Sequence, residues 1–163
     1  MRLTTAIILL ALISAIPVGA EEDPARAVQW SWRIEPRDAG PGSEAELVLE
    51  ARIADHWVVY SSDFKGEFGP LPARLKAKPR TSLELIEPLR SVGALRRKDE
   101  QLQLEYGYFA QRAELRQRLR LPADGSAVEA TLVGQAYDEA NSTCHLIRQE
   151  VRIAAPVDSA SRP

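Results

Sequence analysis

Cysteine is almost missing from this chain: Cys144 is the single one in 163 residues. One thiol cannot close an intramolecular disulfide, so no disulfide framework holds the fold and apolar burial must do so instead. Metal-ligand spacing is missing too, because neither His56 nor His145 stands with Cys144 in a recognised ligand pattern, and no metal site is expected. Charge of one sign is not in excess. The 21 Lys and Arg against 23 Asp and Glu leave a formal charge of −2, with both signs interspersed, and this excludes the basic stripe that nucleic-acid binding needs. Past the N-terminal stretch, no apolar run approaches the about 18 residues of a membrane helix. No Ser/His/Asp arrangement, glycine-rich phosphate loop or paired-carboxylate motif stands out, and no cofactor is expected.

What is present begins with a targeting pattern. Arg2, the apolar run from Ala6 to Ile16, a break at Pro17 and the small residues Val18-Gly19-Ala20 predict a signal peptide over residues 1–20. The mature chain is then a soluble exported domain over residues 21–155 with no membrane span. Its length, about 140 residues, is enough to bury a core without staples. The tail from Pro156 onward (PVDSASRP) is expected to be disordered.

Strand patterns dominate from Ala27. Val28, Trp30, Trp32 and Ile34 alternate with polar neighbours, so both tryptophans are expected in the core. A Pro- and Gly-rich turn at 36–43 leads to a second alternating run, Ala45 to Ile53, predicting a hairpin. Trp57 to Tyr60 reads as a short strand, and Ser61 to Pro72, with two Gly and two Pro, as a loop. Short strands follow at Leu75 and at Leu83 to Ile86, and the charged cluster Arg96 to Glu100 reads as a loop. Phe109 to Leu121 keeps period two over its whole span although Ala, Gln, Glu, Leu and Arg favour a helix there; the period predicts a strand. Many short strands at this spacing predict an all-β, immunoglobulin-like antiparallel β-sandwich.

The chemistry concentrates near the end. Val128 to Ala136 alternates on one side of a short polar loop, and Ile147, Val151 and Ile153 fall on one strand face on the other, predicting a hairpin. Closing it sets Tyr137 opposite Cys144, with Cβ atoms about 4.5 to 5.5 Å apart, near bridging distance for two sulfurs. A tyrosine stands where a second sulfur would go. His145 points to the other face of the strand and is not expected to act as a base for the thiol.

The run AVQWSWRI at 27–34, the I-x-x-x-W-x-x-Y ending at Ile53 to Tyr60, Gly-Pro-Leu-Pro at 69–72, Tyr108-Phe109 and the terminal hairpin resemble, in that order, the N-terminal domain family of the thiol:disulfide interchange protein DsbD. The resemblance covers nearly the whole mature chain. It implies a periplasmic immunoglobulin-like sandwich that takes electrons from a membrane-embedded partner and passes them to periplasmic oxidoreductases. It implies also that Cys144 corresponds to the partner-attacking member of a cysteine pair and Tyr137 to the place of the other, with His145-Leu146-Ile147 replacing a hydrophobic residue and two prolines. Tyr60 would line the site, and residues 96–108 would form a cap loop with Tyr108 and Phe109 as its aromatic contacts.

A thiol relay needs a second thiolate close enough to resolve a mixed disulfide, and this chain has none. The expected function is therefore a non-enzymatic or redox-degenerate interaction module whose partner is a periplasmic or membrane thiol-disulfide oxidoreductase. The alternatives are a single-cysteine redox protein acting through mixed disulfides at Cys144, and a sandwich binding a small ligand or envelope protein through the 61–72 loop. Free cysteines are commonly buried, and Cys144 is expected to be sheltered.

Overall fold

Period-two alternation becomes strands along nearly all of the computed structural model, which describes residues 23–100 and 103–154. The expected signal peptide and the tail from Pro156 lie outside the described residues. A short helical turn, α1 (Pro24–Ala27), is capped by Asp23, whose carboxylate accepts from Ala25 N at 3.0 Å. The strands that follow are β1 (Val28–Glu35), β2 (Glu44–Ile53), β3 (Trp57–Tyr60), β4 (Arg74–Ala77), β5 (Glu84–Leu85) and β6 (Arg90–Val92). After them come β7 (Leu95–Asp99), β8 (Leu104–Ala110), β9 (Arg112–Arg120), β10 (Val128–Asp138) and β11 (Thr143–Ile153).

They form two antiparallel sheets. The first runs β1-β2-β9-β5, with β6 also on β9; the second runs β11-β10-β3-β8-β7, with β4 also on β10. The architecture is an immunoglobulin-like antiparallel sandwich, as the strand spacing predicts. Leu47, Leu49, Leu115 and Leu119 of the first sheet and Val59, Leu132 and Val151 of the second are almost fully buried. Each large side chain removed from water in this way contributes about 1.5–3 kcal/mol before the entropic cost of ordering. Trp57 and Phe109 belong to the same core.

Three expectations change. The long alternating span is two strands, because Gln111 takes φ 65° between β8 and β9 and passes the chain from the second sheet to the first. Beyond it, β9 is extended despite its helix-forming composition, since Ala113, Leu115, Gln117 and Leu119 face the core. The charged cluster at 96–99 is not a loop but most of β7, an edge strand paired with β8 from Leu95↔Tyr108 to Asp99↔Leu104. An edge strand tolerates charge because its open side is wet. Trp30 and Trp32 are half-buried against the core rather than within it, because β1 is also an edge. The Trp32 indole N–H donates to Arg152 O of β11 at 2.9 Å and ties the two sheets together.

Candidate interaction face around Cys144

The terminal hairpin positions the thiol. β10 and β11 pair without interruption from Val128↔Ile153 to Asp138↔Thr143, and the register sets Tyr137 opposite Cys144 as the alternation predicts. Arg152 turns its carbonyl away from β10, toward Trp32, and the regular ladder gives Cys144, eight residues earlier, the same outward backbone orientation. Tyr137 and Cys144 therefore form a non-hydrogen-bonded pair, the closer of the two pair types. Asp138 holds the tip of the hairpin. Its carboxylate accepts from Ala140 N at 2.9 Å, Asn141 N at 3.3 Å and Asn141 Nδ2 at 2.7 Å. The Asn141 amide, foremost, keeps the Asp138 carboxyl below its usual range.

Cys144 is exposed, which corrects the expectation of a sheltered thiol: among the described residues β11 is the open edge of its sheet, and no neighbouring strand covers it. Val58 lies beside Tyr137 in the next strand, and Tyr60, two residues on, faces the same way. Tyr60 pairs with Tyr108, which pairs with Leu95, while Tyr106 pairs with Arg97. All four tyrosines of the chain thus share one outer sheet face with its one thiol. Tyr60 and Tyr106 meet edge to face, with ring centroids 5.5 Å apart. Burial raises the Tyr60 phenol well above its ordinary value, and the Cys144, Tyr106 and Tyr137 charges add to this, so Tyr60 is a neutral hydroxyl at every physiological pH.

Neighbouring residues divide between this face and the core. Phe109, expected beside Tyr108 as a site aromatic, points inward and is 3% exposed; adjacent residues on a strand cannot share a face. His145 lies inward also, its ring centroid 5.0 Å from that of Trp57 and its Nε2 2.9 Å from Thr143 Oγ1. Arg97 and Tyr106 complete the face, and the sequence reading missed both as site residues. Their signal is the β7–β8 register, which becomes visible once 96–99 is read as a strand. Arg97 Cζ sits 4.6 Å over the Tyr108 ring, and its guanidinium reaches Glu139 of the hairpin tip at 2.9 Å.

The β7–β8 hairpin, standing where the cap loop was expected, is fastened on its other side as well. Arg96 pairs with Asp63 of the 61–72 loop, and Asp63 also accepts from the Ser61 hydroxyl. Burial alone would raise the Asp63 carboxyl, but Ser61 and Arg96 outweigh it and hold it below its usual range. Gly107 permits the close approach of β8 to this loop, since a Cβ there would stand 2.3 Å from Ser61 Oγ. The loop itself wraps Phe64, leaving Phe68 80% exposed, and Leu71 N donates to Gln135 Oε1 at 2.8 Å. Phe68, Leu71, Leu95 and Leu146 are the exposed large apolar residues among those described. Leu95 and Leu146 lie on the tyrosine face, and Leu71 is tied to Gln135 at its margin.

With this geometry in view, known structures can be compared. The chain superposes on the DsbD N-terminal domain of Neisseria meningitidis in the reduced form with a TM-score of 0.55 at 16% identity, covering 82% of this chain and 90% of that one. The fold is like that of the DsbD N-terminal domain. The complex between the DsbD N-terminal and PilB N-terminal domains of the same organism gives a TM-score of 0.50 at 16% identity, covering 80% and 85%. No protein-family model and no curated protein matches the sequence. Among the described residues no helix is long and apolar enough to cross a membrane, and no group of three or more His, Cys, Asp or Glu could hold a metal.

Proposed function

We propose that the chain is a periplasmic member of the DsbD N-terminal-like family that acts as a protein-interaction module of a thiol-disulfide exchange pathway, docking an oxidoreductase through the tyrosine face and running no two-electron relay of its own. The observation that carries this reading is the gathering of all four tyrosines and the one exposed thiol on a single sheet face. Tyrosine offers a large rigid contact area with a polar tip, and it is enriched at the centres of protein interfaces. The exposed apolar residues around it are of the kind that mark such a surface. The likeness to a domain solved in complex with a second protein domain supports the same use.

The chemistry limits what docking leads to. Attack of the Cys144 thiolate on a partner disulfide would form one new S–S bond and release one partner thiolate. The phenol of Tyr137 cannot displace that bond, so the mixed disulfide waits for a thiol from outside the chain. Exposure of Cys144 favours this as a second reading, in which capture by mixed disulfide is itself the function.

Calorimetric titration of Cys144→Ser with a purified thioredoxin-fold oxidoreductase domain from the same organism, under reducing conditions, tests the docking reading. Binding that survives Cys144→Ser and disappears with Tyr137→Ala supports it. Absence of binding by both the wild-type protein and Cys144→Ser overturns it, whereas binding that needs the sulfur transfers the case to the mixed-disulfide reading. Stoichiometric reduction of a partner disulfide by the reduced wild-type protein, one disulfide opened to two free thiols per chain with no mixed disulfide left, would refute the absence of a relay.

A further inference from the structure

The opposite sheet carries a cluster of charge unconnected with the tyrosine face. On the outer face of β1, β2, β6 and β9 the arginines are almost all neutralised. Arg33 reaches Glu50 at 2.8 Å, Arg90 reaches Glu46 at 3.1 Å, Arg116 reaches Glu114 at 2.5 Å, and Arg118 and Arg120 share Glu44 at 2.6 and 3.0 Å. Two arginines depart from this pattern. Arg52 and Arg112 stand directly opposite each other at the end of the β2–β9 ladder, both exposed, and among the described residues no hydrogen bond or ion pair reaches either guanidinium.

Like charges at directly opposed positions, with Cβ atoms about 4.5–5.5 Å apart, destabilise a sheet. The nearest carboxylates on the same face, Glu50 and Glu114, are already held by Arg33 and Arg116. Both unpaired arginines line a groove of about 420 Å³, with Ser31, Val92 and Gly93 on its walls together with Glu50 and Glu114, whose charges Arg33 and Arg116 already offset. Each guanidinium presents a planar fork of donors that matches the oxygens of a phosphate or carboxylate. One fork satisfies one carboxylate; two forks carrying two charges from opposed positions suit a phosphoryl dianion with three terminal oxygens.

We propose that Arg52 and Arg112 form a clamp for a phosphate monoester or free phosphate, with the Ser31 hydroxyl as an additional neutral donor. The phosphoryl group can belong to a soluble metabolite or to a lipid headgroup, and the chemistry recognised is the same. Without it the two cations repel, so the empty clamp weakens its own sheet end and the filled one strengthens it.

The test is titration of the isotope-labelled protein with inorganic phosphate, followed by amide and arginine Nε resonances, alongside thermal unfolding with and without phosphate. Saturable shifts at Arg52, Arg112, Ser31 and Val92 are expected, with affinity falling about tenfold or more in Arg112→Gln as charge-assisted hydrogen bonds are lost. Arg74→Gln, an exposed arginine on the other sheet, serves as control and leaves the affinity unchanged. In low salt without phosphate, Arg112→Gln melts higher than the wild type, and phosphate raises the wild-type melting temperature but not that of the variant. Phosphate that shifts resonances without saturation, or stabilises wild type, Arg112→Gln and Arg74→Gln alike, overturns the clamp. Sedimentation with phosphatidate-containing vesicles assigns the source: binding sensitive to Arg112→Gln indicates a headgroup, and phosphate binding without vesicle binding indicates a soluble ligand.

Discussion

On the outer face of β2 and β9, Arg116 stands 2.7 Å from Glu46 and 2.5 Å from Glu114, and Arg118 and Arg120 both reach Glu44. On the outer face of β3, β8, β10 and β11, the corresponding positions hold Tyr60, Tyr106, Tyr108, Tyr137 and Cys144, with Leu95 and Leu146 bare to solvent. Both faces cover the same core and both are legitimate outsides of a β-sandwich. Away from the Arg52 and Arg112 end, this ladder of matched charges is well hydrated and contributes little net attraction to anything that approaches. A tyrosine and leucine face has apolar area to lose on contact, and it can bind. The contrast lies wholly in side chains on the outer faces, over one shared core.

The largest effect that would sharpen this contrast is on partner binding. Replacing Tyr108 and Tyr137 together with alanine is expected to weaken oxidoreductase binding by about 100-fold or more, the scale of an interface hot spot. Arg118→Gln on the charged face, measured by the same calorimetry, is expected to leave it unchanged. Equal losses from both would break the comparison. Gly107→Ala comes next: its Cβ would stand 2.3 Å from Ser61 Oγ, and overpacking of this kind costs up to about 3 kcal/mol, readable in urea unfolding.

Tyr137→Cys restores a sulfur opposite Cys144. The non-hydrogen-bonded register predicts that the two thiols oxidise to a disulfide, detected as loss of titratable thiols, with a gain of about 2 kcal/mol from the short closed loop. Failure to oxidise would mean that the two side chains diverge. The smallest effect concerns acid. The Asp63 and Asp138 carboxyls are held below their usual values in the folded chain, so their stabilisation is complete above the ordinary Asp value of about 3.9 and is lost as pH falls below it. Asp63→Asn is expected to flatten the fall in stability on that acid side and to leave the neutral plateau's slope unchanged.

Much of this is legible in the sequence. The pairing of Tyr137 with Cys144 follows from alternation on either side of a short polar loop, because register in a hairpin is fixed by its turn and its buried face. The extended state of β9 follows from period winning over propensity. What escaped the sequence was the layer assignment. Gln111 looks like one more position in an alternating run, yet its left-handed backbone passes the chain between sheets, and only the pairings reveal it. Adjacency in the sequence groups Phe109 with Tyr108, although a strand sends neighbours to opposite faces. Arg97 and Tyr106 were hidden by charge at β7, which looked like a loop and is an edge. Exposure of Cys144 depends on β11 having no outer neighbour, a property of the whole sheet order that no local pattern encodes.

Arg96 and Arg97 are adjacent on β7 and leave it in opposite directions, one to Asp63 and the other to Glu139. A strand pinned like a strap with a buckle on either side resists being peeled back from either flank. The flank of the face along β7 is thus fastened, and the flank along β11, where Leu146 is 77% exposed, is the open one.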